Sequence, residues 1–177
     1  MSREYSSAGA ALDAVEKGVT FKAYCAKNRI GKMDFALASE SLKYKSVLVK
    51  VLDRADVSAE KIDVGSQGMV LVMAYELLVG TGKIRGGGAV KRKIMAVLDS
   101  LKESLEVEMK ENKAKTVVDL LPAHIKLAQL LPQFLRINTL RIGALDLSHK
   151  QIMDEILVQC PGALPDKDIP NLVRILP

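Results

Sequence analysis

Five cations crowd one short stretch of the chain: Lys83, Arg85, Lys91, Arg92 and Lys93, with no acidic residue among them. Glycines surround them, at Gly80, Gly82 and Gly86-Gly87-Gly88. Cations beside glycines at the start of a helix are suited to holding an anion, because the first helical turn has free N–H groups and the positive end of the dipole. Arg85 stands just before that helix, and Lys91, Arg92 and Lys93 stand just inside it. Arg92 falls almost opposite the apolar stripe, and Lys91 and Lys93 flank it. Cations there oppose the dipole by about 0.3–1 kcal/mol each, so keeping three is consistent with an anion arriving to offset them. A P-loop does not fit. It needs a strand before the glycines and Lys-Ser/Thr after the last one, but a helical apolar run precedes and Ala89-Val90 follow. The alternative is a flexible glycine linker with solvated lysines.

A second pair lies in Leu131-Pro-Gln-Phe-Leu-Arg-Ile-Asn-Thr-Leu140, where the apolar period drops from helical to two. On a strand Arg136 and Asn138 share one side, and both can grip nucleic acid. The other reactive side chains build no catalytic constellation. His124 and His149 have no partner at metal-ligand spacing. His124 is expected to pack beside the helices, and His149 to lie in the first turn of one. Cys160 has no base nearby and falls where a helix stops, which reads as a structural thiol. Glu76, beside Tyr75, is expected to be a hydrogen-bonded interior or edge group.

These residues sit in a chain of 177, enough for one domain or one plus a small second. Apolar residues make up 49%, sufficient for a packed core. No apolar run reaches the ~18 residues that span a bilayer. The start, Met1-Ser-Arg-Glu-Tyr5, carries no basic segment followed by an apolar one, which argues against secretion. Cys25 and Cys160 lack CxxC spacing, in keeping with a reduced intracellular compartment. The net charge of +5 is unevenly spread. From Lys22 to Arg54 there are eight basic and three acidic residues, and the Lys83–Lys93 cluster adds five cations. A surplus confined to two segments points to a polyanion partner. The alternative is helix faces kept soluble by lysine.

The pattern is helical to about residue 128. Ala8, Ala11, Leu12 and Val15 mark a helix closed by Gly18. Thr20 is placed to cap a short one, and Gly31 breaks it. Further helices run from Met33 to about Lys43 and from Ser46 through Leu52. The stretch from Gln67 to Val79 is apolar nearly all round and belongs inside a bundle. Val90, Ile94, Val97, Leu98, Leu101 and Leu105 share one face of a single long helix. Short helices are expected at Val117–Leu121 and, after Pro122, at Ala123–Leu130. Strand pattern begins after Pro132. Ser148 caps a helix with Ile152, Ile156 and Leu157 on one side, and a second strand is expected at Asn171–Leu176.

Two blocks carry a resemblance, Tyr75-Glu-Leu-Leu-Val-Gly-Thr-Gly-Lys-Ile-Arg-Gly-Gly-Gly88 and Leu131–Leu140. With Leu42-Lys-Tyr-Lys-Ser-Val-Leu48 upstream, the chain resembles the N-terminal region of RNA cytosine-5 methyltransferases of the Sun/Fmu family. The nearest branch is the eukaryotic one that modifies large-subunit ribosomal RNA. The resemblance covers most of the chain. It implies a NusB-like helical bundle, then an RRM-like unit, then a Rossmann-like domain that binds S-adenosylmethionine. In that family two cysteines, in Pro-Cys and Thr-Cys motifs, are catalytic, and the cofactor loop is of Ala-Pro-Gly type. Neither that loop nor a Thr-Cys pair occurs here, and Cys160 before Pro161 maps onto neither catalytic cysteine.

The resulting expectation is a mainly α chain. Residues 1–128 form the helical RNA-binding bundle and 129–177 the first β-α-β part of an RRM-like α/β unit, with the S-adenosylmethionine-binding catalytic domain absent. Its role is to bind RNA and position substrate for a ribosomal-RNA cytosine-5 methyltransferase, without activity of its own. Lys83, Arg85, Lys91, Arg92 and Lys93 are the phosphate contacts, with Arg136 and Asn138 behind them, where they grip RNA or brace the catalytic domain. No cofactor is expected in this chain; S-adenosylmethionine is implied for the full-length protein. Ribosomal RNA and ribosome-assembly proteins are the expected partners, no membrane is involved, and the nucleus or nucleolus is the expected location. The alternative is a protein-interaction helical bundle in ribosome assembly. A free-standing NusB-like antitermination factor is a third reading, hard to reconcile with strands after Pro132.

Overall fold

The computed structural model describes residues 3–138 and 148–176. It divides into two compact units, Met1–Leu121 and Pro122–Pro177. The first is helical: α1 (Arg3–Glu16), α2 (Phe21–Lys27), α3 (Lys32–Lys43), α4 (Lys45–Arg54), α5 (Gln67–Leu78), α6 (Ala89–Ala96) and α7 (Leu98–Glu111), then a 3-10 turn at Val117–Leu120. The α5 helix is the axis of the core. From Gly68 to Leu77 every residue except Tyr75 is buried. Such a helix has no polar face to offer solvent, so neighbours must cover it on all sides.

The α1 helix packs chiefly on α5 and also meets α2 and α3. It buries Tyr5, Ala8, Ala11 and Leu12. The crossing is tight because two glycines meet there. A Cβ on Gly68 would lie 2.3 Å from the Gly9 carbonyl oxygen, and one on Gly9 would lie 2.6 Å from Met69 Cα. Polar groups close the same junction. Ser66 caps α5 by accepting from the Met69 N–H at 3.3 Å, and the Asp13 carboxylate of α1 accepts from the Gly68 N–H at 2.8 Å. A carboxylate at that end also complements the helix dipole.

The α4 helix buries Val47, Leu48, Val51 and Leu52 and packs on α5 and α7. Arg54 grips Glu111 through two bonds of 3.0 and 2.6 Å, and its second nitrogen also reaches Glu108 at 3.2 Å. Lys50 reaches Glu108 at 3.3 Å. Glu108 is itself nearly buried, so these cations offset a desolvated charge rather than decorate a surface.

The structure departs from the sequence reading in several places. The single long helix is two. At Val97 the N–H bonds to Ile94 O, three residues back, and the ladder resumes with Leu101 N–H to Val97 O. This turn at Val97 separates α6 from α7, and Ile94 and Leu101 on either side are both fully buried. Thr20 occupies the cap of α2, but its side chain makes no capping bond. The 3-10 turn after Thr116 carries a capping box instead, with Asp119 accepting from the Thr116 N–H at 2.8 Å.

In the second unit α8 (Ala123–Gln129) precedes β1 (Gln133–Arg136), followed by α9 (His149–Gln159), β2 (Ala163–Pro165) and β3 (Leu172–Ile175). The sheet order is β1-β3-β2, and both pairings with β3 are antiparallel. The strand at Ala163–Pro165 was not anticipated, being three residues of which the last is a proline. It makes the anticipated second strand the third and central one. Ile137, Ala163 and Val173 form the core, with Ile152, Met153, Ile156 and Cys160 against it. Cys160 therefore has a packing role. Leu157, expected on the same side, is exposed instead. His124 is exposed on α8 rather than packed, and His149 begins α9, capped by Ser148 and Gln151.

Candidate nucleic-acid interface

The glycine-rich segment leads from α5 to α6 and is anchored, not a free tether. Ile84 is buried to 5% exposure in the middle of it. The Arg85 N–H donates to the Tyr5 hydroxyl of α1 at 3.0 Å. Burial is the main reason the Tyr5 hydroxyl titrates above its ordinary value, with the Arg85 bond opposing it. Thr81 donates to Glu76 at 2.5 Å, and the Gly82 N–H reaches Glu76 O at 2.9 Å. Gly88, at φ +102°, enters α6 through a conformation that a side chain would strain.

These anchors hold the five cations in place, but the cations are not equivalent. Lys83 and Arg92 are exposed and have no carboxylate partner among the described residues. Arg85 lies 4.0 Å from Glu4. Lys91 donates to Gly86 O at 3.2 Å. Lys93 pairs with the Asp63 carboxylate and donates to Asp63 O at 2.8 Å. The unfavourable cations in the first turns of α6 are thus partly offset from inside the fold. The Lys93 hydrogen bond, then its charge, holds the Asp63 carboxyl below 3.8. Lys93→Ala is expected to return the Asp63 titration towards that value, followed by carboxyl NMR. Because the folded value is depressed, the pair stabilises the fold above pH 3.8 and loses that effect as pH falls through the folded value.

The other basic segment splits in the same way. Lys43, Lys45, Lys50 and Arg54 are paired with Glu40, Glu16, Glu108 and the Glu108–Glu111 pair respectively. Lys22, Lys27, Arg29 and Lys32 are exposed and unpaired among the described residues. The sequence counted these four in its charge surplus but singled out none. Partners up to 58 residues away, such as Glu108 for Lys50, cannot be read from local composition.

Arg136 and Asn138 lie in the second unit. β1 is exposed along its whole length and ends at Arg136, so Asn138 is beyond the strand. Ile137 between them is buried and donates its N–H to Asn171 O at 2.8 Å, leaving Arg136 and Asn138 exposed. Thr139 and Leu140, the end of that block, lie outside the described residues. Among the described residues no group of three or more His, Cys, Asp or Glu is placed to hold a metal. No described helix is long and apolar enough to cross a membrane.

Residues 32–121 match the model of the NOL1/NOP2/Sun domain family member 5, N-terminal domain. The chain belongs to this family. The match ends at Leu121, where the helical unit also ends. In sequence the family member resembles the 25S rRNA (cytosine-C(5))-methyltransferase NSUN5 of Arabidopsis thaliana, at 30% identity over 132 residues, or 75% of this chain and 23% of that protein. It also resembles the 26S rRNA (cytosine-C(5))-methyltransferase nsun-5 of Caenorhabditis elegans, at 29% over 131 residues, or 72% of this chain and 30% of that protein. The chain thus spans less than a third of either relative's length. No solved structure matches it.

Proposed function

We propose that this N-terminal region binds ribosomal RNA and positions it for a cytosine-5 methyltransferase domain elsewhere in the full-length protein, with no activity of its own. The family match carries the reading, since both relatives are rRNA (cytosine-C(5))-methyltransferases. Lys83 and Arg92 are the leading phosphate contacts, because no carboxylate among the described residues competes for them. Arg85, Lys91 and Lys93 contribute once their internal contacts yield. Lys22, Lys27, Arg29 and Lys32 extend the set. Arg136 and Asn138 serve RNA or the catalytic domain. Phosphate contacts of this kind fix position and salt dependence, not base identity.

On this reading the helical part is a NusB-like bundle, residues 129–177 begin an RRM-like unit, and S-adenosylmethionine is bound elsewhere in the full-length protein. A role on ribosomal RNA is in keeping with a nuclear or nucleolar location. Titration of the chain with rRNA fragments at several salt concentrations tests the reading. Affinity should fall steeply with salt; no detectable binding at low salt would end it.

A further inference from the structure

The helical unit contains a cavity of about 250 Å³ between α1, α3, α5 and the glycine-rich segment. That volume is below the ~300–1,000 Å³ of small-molecule and cofactor sites, so it suits one side chain rather than a nucleotide cofactor. Met33, Ala36 and Leu37 of α3 give it an apolar wall. Met33 is 61% exposed, and its flexible thioether side chain can adapt to an occupant. Glu4, Glu40 and Glu76 give it a charged one, against the single cation Arg85. Glu4 has Arg85 at 4.0 Å and Glu40 has Lys43 at 3.5 Å. Glu76 is different. It is buried to 6% exposure, takes one hydroxyl bond from Thr81, and has no cation among the described residues. A desolvated carboxylate without a cation is an unfavourable arrangement that a cation relieves.

We propose that this cavity receives an arginine side chain from a partner protein. The methylene stem lies on the wall of Met33, Ala36 and Leu37, and the guanidinium meets the carboxyls of Glu76 and Glu40. Arginine anchors of this kind, seated in a desolvated pocket, dominate many interfaces. The net negative charge of the lining disfavours RNA phosphate here, so the inference goes beyond the RNA reading. The two fail separately, because one depends on Lys83 and Arg92 and the other on Glu40 and Glu76.

The test is a two-dimensional amide NMR titration of the full chain with acetyl-Ala-Leu-Arg-Leu-Ala-amide. Its twin carries citrulline, which keeps the shape and removes the charge. The Gly80, Thr81 and Arg85 amides should move with the arginine peptide, about tenfold less readily with the citrulline peptide, and about tenfold less readily in Glu76→Gln. Glu40→Gln, on an exposed residue, keeps the test decisive if the buried variant fails to fold. Amides unmoved at millimolar peptide, equal response to both peptides, or unchanged response in the variants would overturn the proposal.

Discussion

Gly68→Ala is expected to destabilise the helical unit by about 2–3 kcal/mol and lower its thermal midpoint by roughly 10 °C. Elsewhere in a helix, glycine to alanine gains up to about 1 kcal/mol. Here the new methyl would lie 2.3 Å from Gly9 O and 2.6 Å from Asp13 Oδ1. The first of these is backbone and cannot rotate away, so α1 must lift off α5. The movement would also stretch the bond from the Gly68 N–H to Asp13. Gly65→Ala is the control, since nothing lies within 4 Å of its added Cβ. Circular dichroism melts of the two variants decide the matter. A Gly68→Ala midpoint that matches the control would mean the crossing is looser than described.

The largest expected effect on binding comes from reversing Lys83 and Arg92, the two cations of the glycine-rich segment and α6 with no carboxylate partner among the described residues. Lys83→Glu combined with Arg92→Glu should weaken rRNA binding by about tenfold or more at low salt. It should also flatten the plot of log affinity against log salt by about 2, one for each phosphate left without its cation. Lys102→Glu, on the exposed side of α7, should leave both quantities nearly unchanged. Lys91→Ala and Lys93→Ala should act more weakly than either reversal, because those side chains already have partners within the fold. Fluorescence anisotropy with labelled rRNA fragments across a salt series measures all of these. A reversal variant with the original slope would remove these two residues from the interface.

Local signals in the sequence were legible. The run from Gln67 to Val79, apolar nearly all round with Glu76 its one charge, announced a buried helix because a helix without a polar face must be covered on every side, and α5 is that helix. Ser148 announced a helix start through side-chain geometry that operates within four residues, and the structure adds Gln151 to that cap. Signals set by the rest of the fold were not. The break at Val97 lies inside an unbroken apolar period, and only the packing of Ile94 and Leu101 on separate segments reveals it. The three-residue strand β2 exists because β3 offers it a ladder. The cations looked alike in sequence, and they divide into paired and unpaired only through contacts such as Arg54 with Glu108 and Glu111. The cavity around Glu76 gathers residues from three helices and a connecting segment, so no spacing rule would have found it.

The α1 helix lies entirely before Lys32, where the family match begins. Yet it closes the crossing on α5, supplies Asp13 to that helix's first turn and fixes Arg85 through Tyr5. The stretch by which kinship is recognised is therefore not self-sufficient as a folding unit. Its central helix takes part of its cover from α1, which lies before the matched residues. Variation before residue 32 is thus constrained by the shape that α1 must cover.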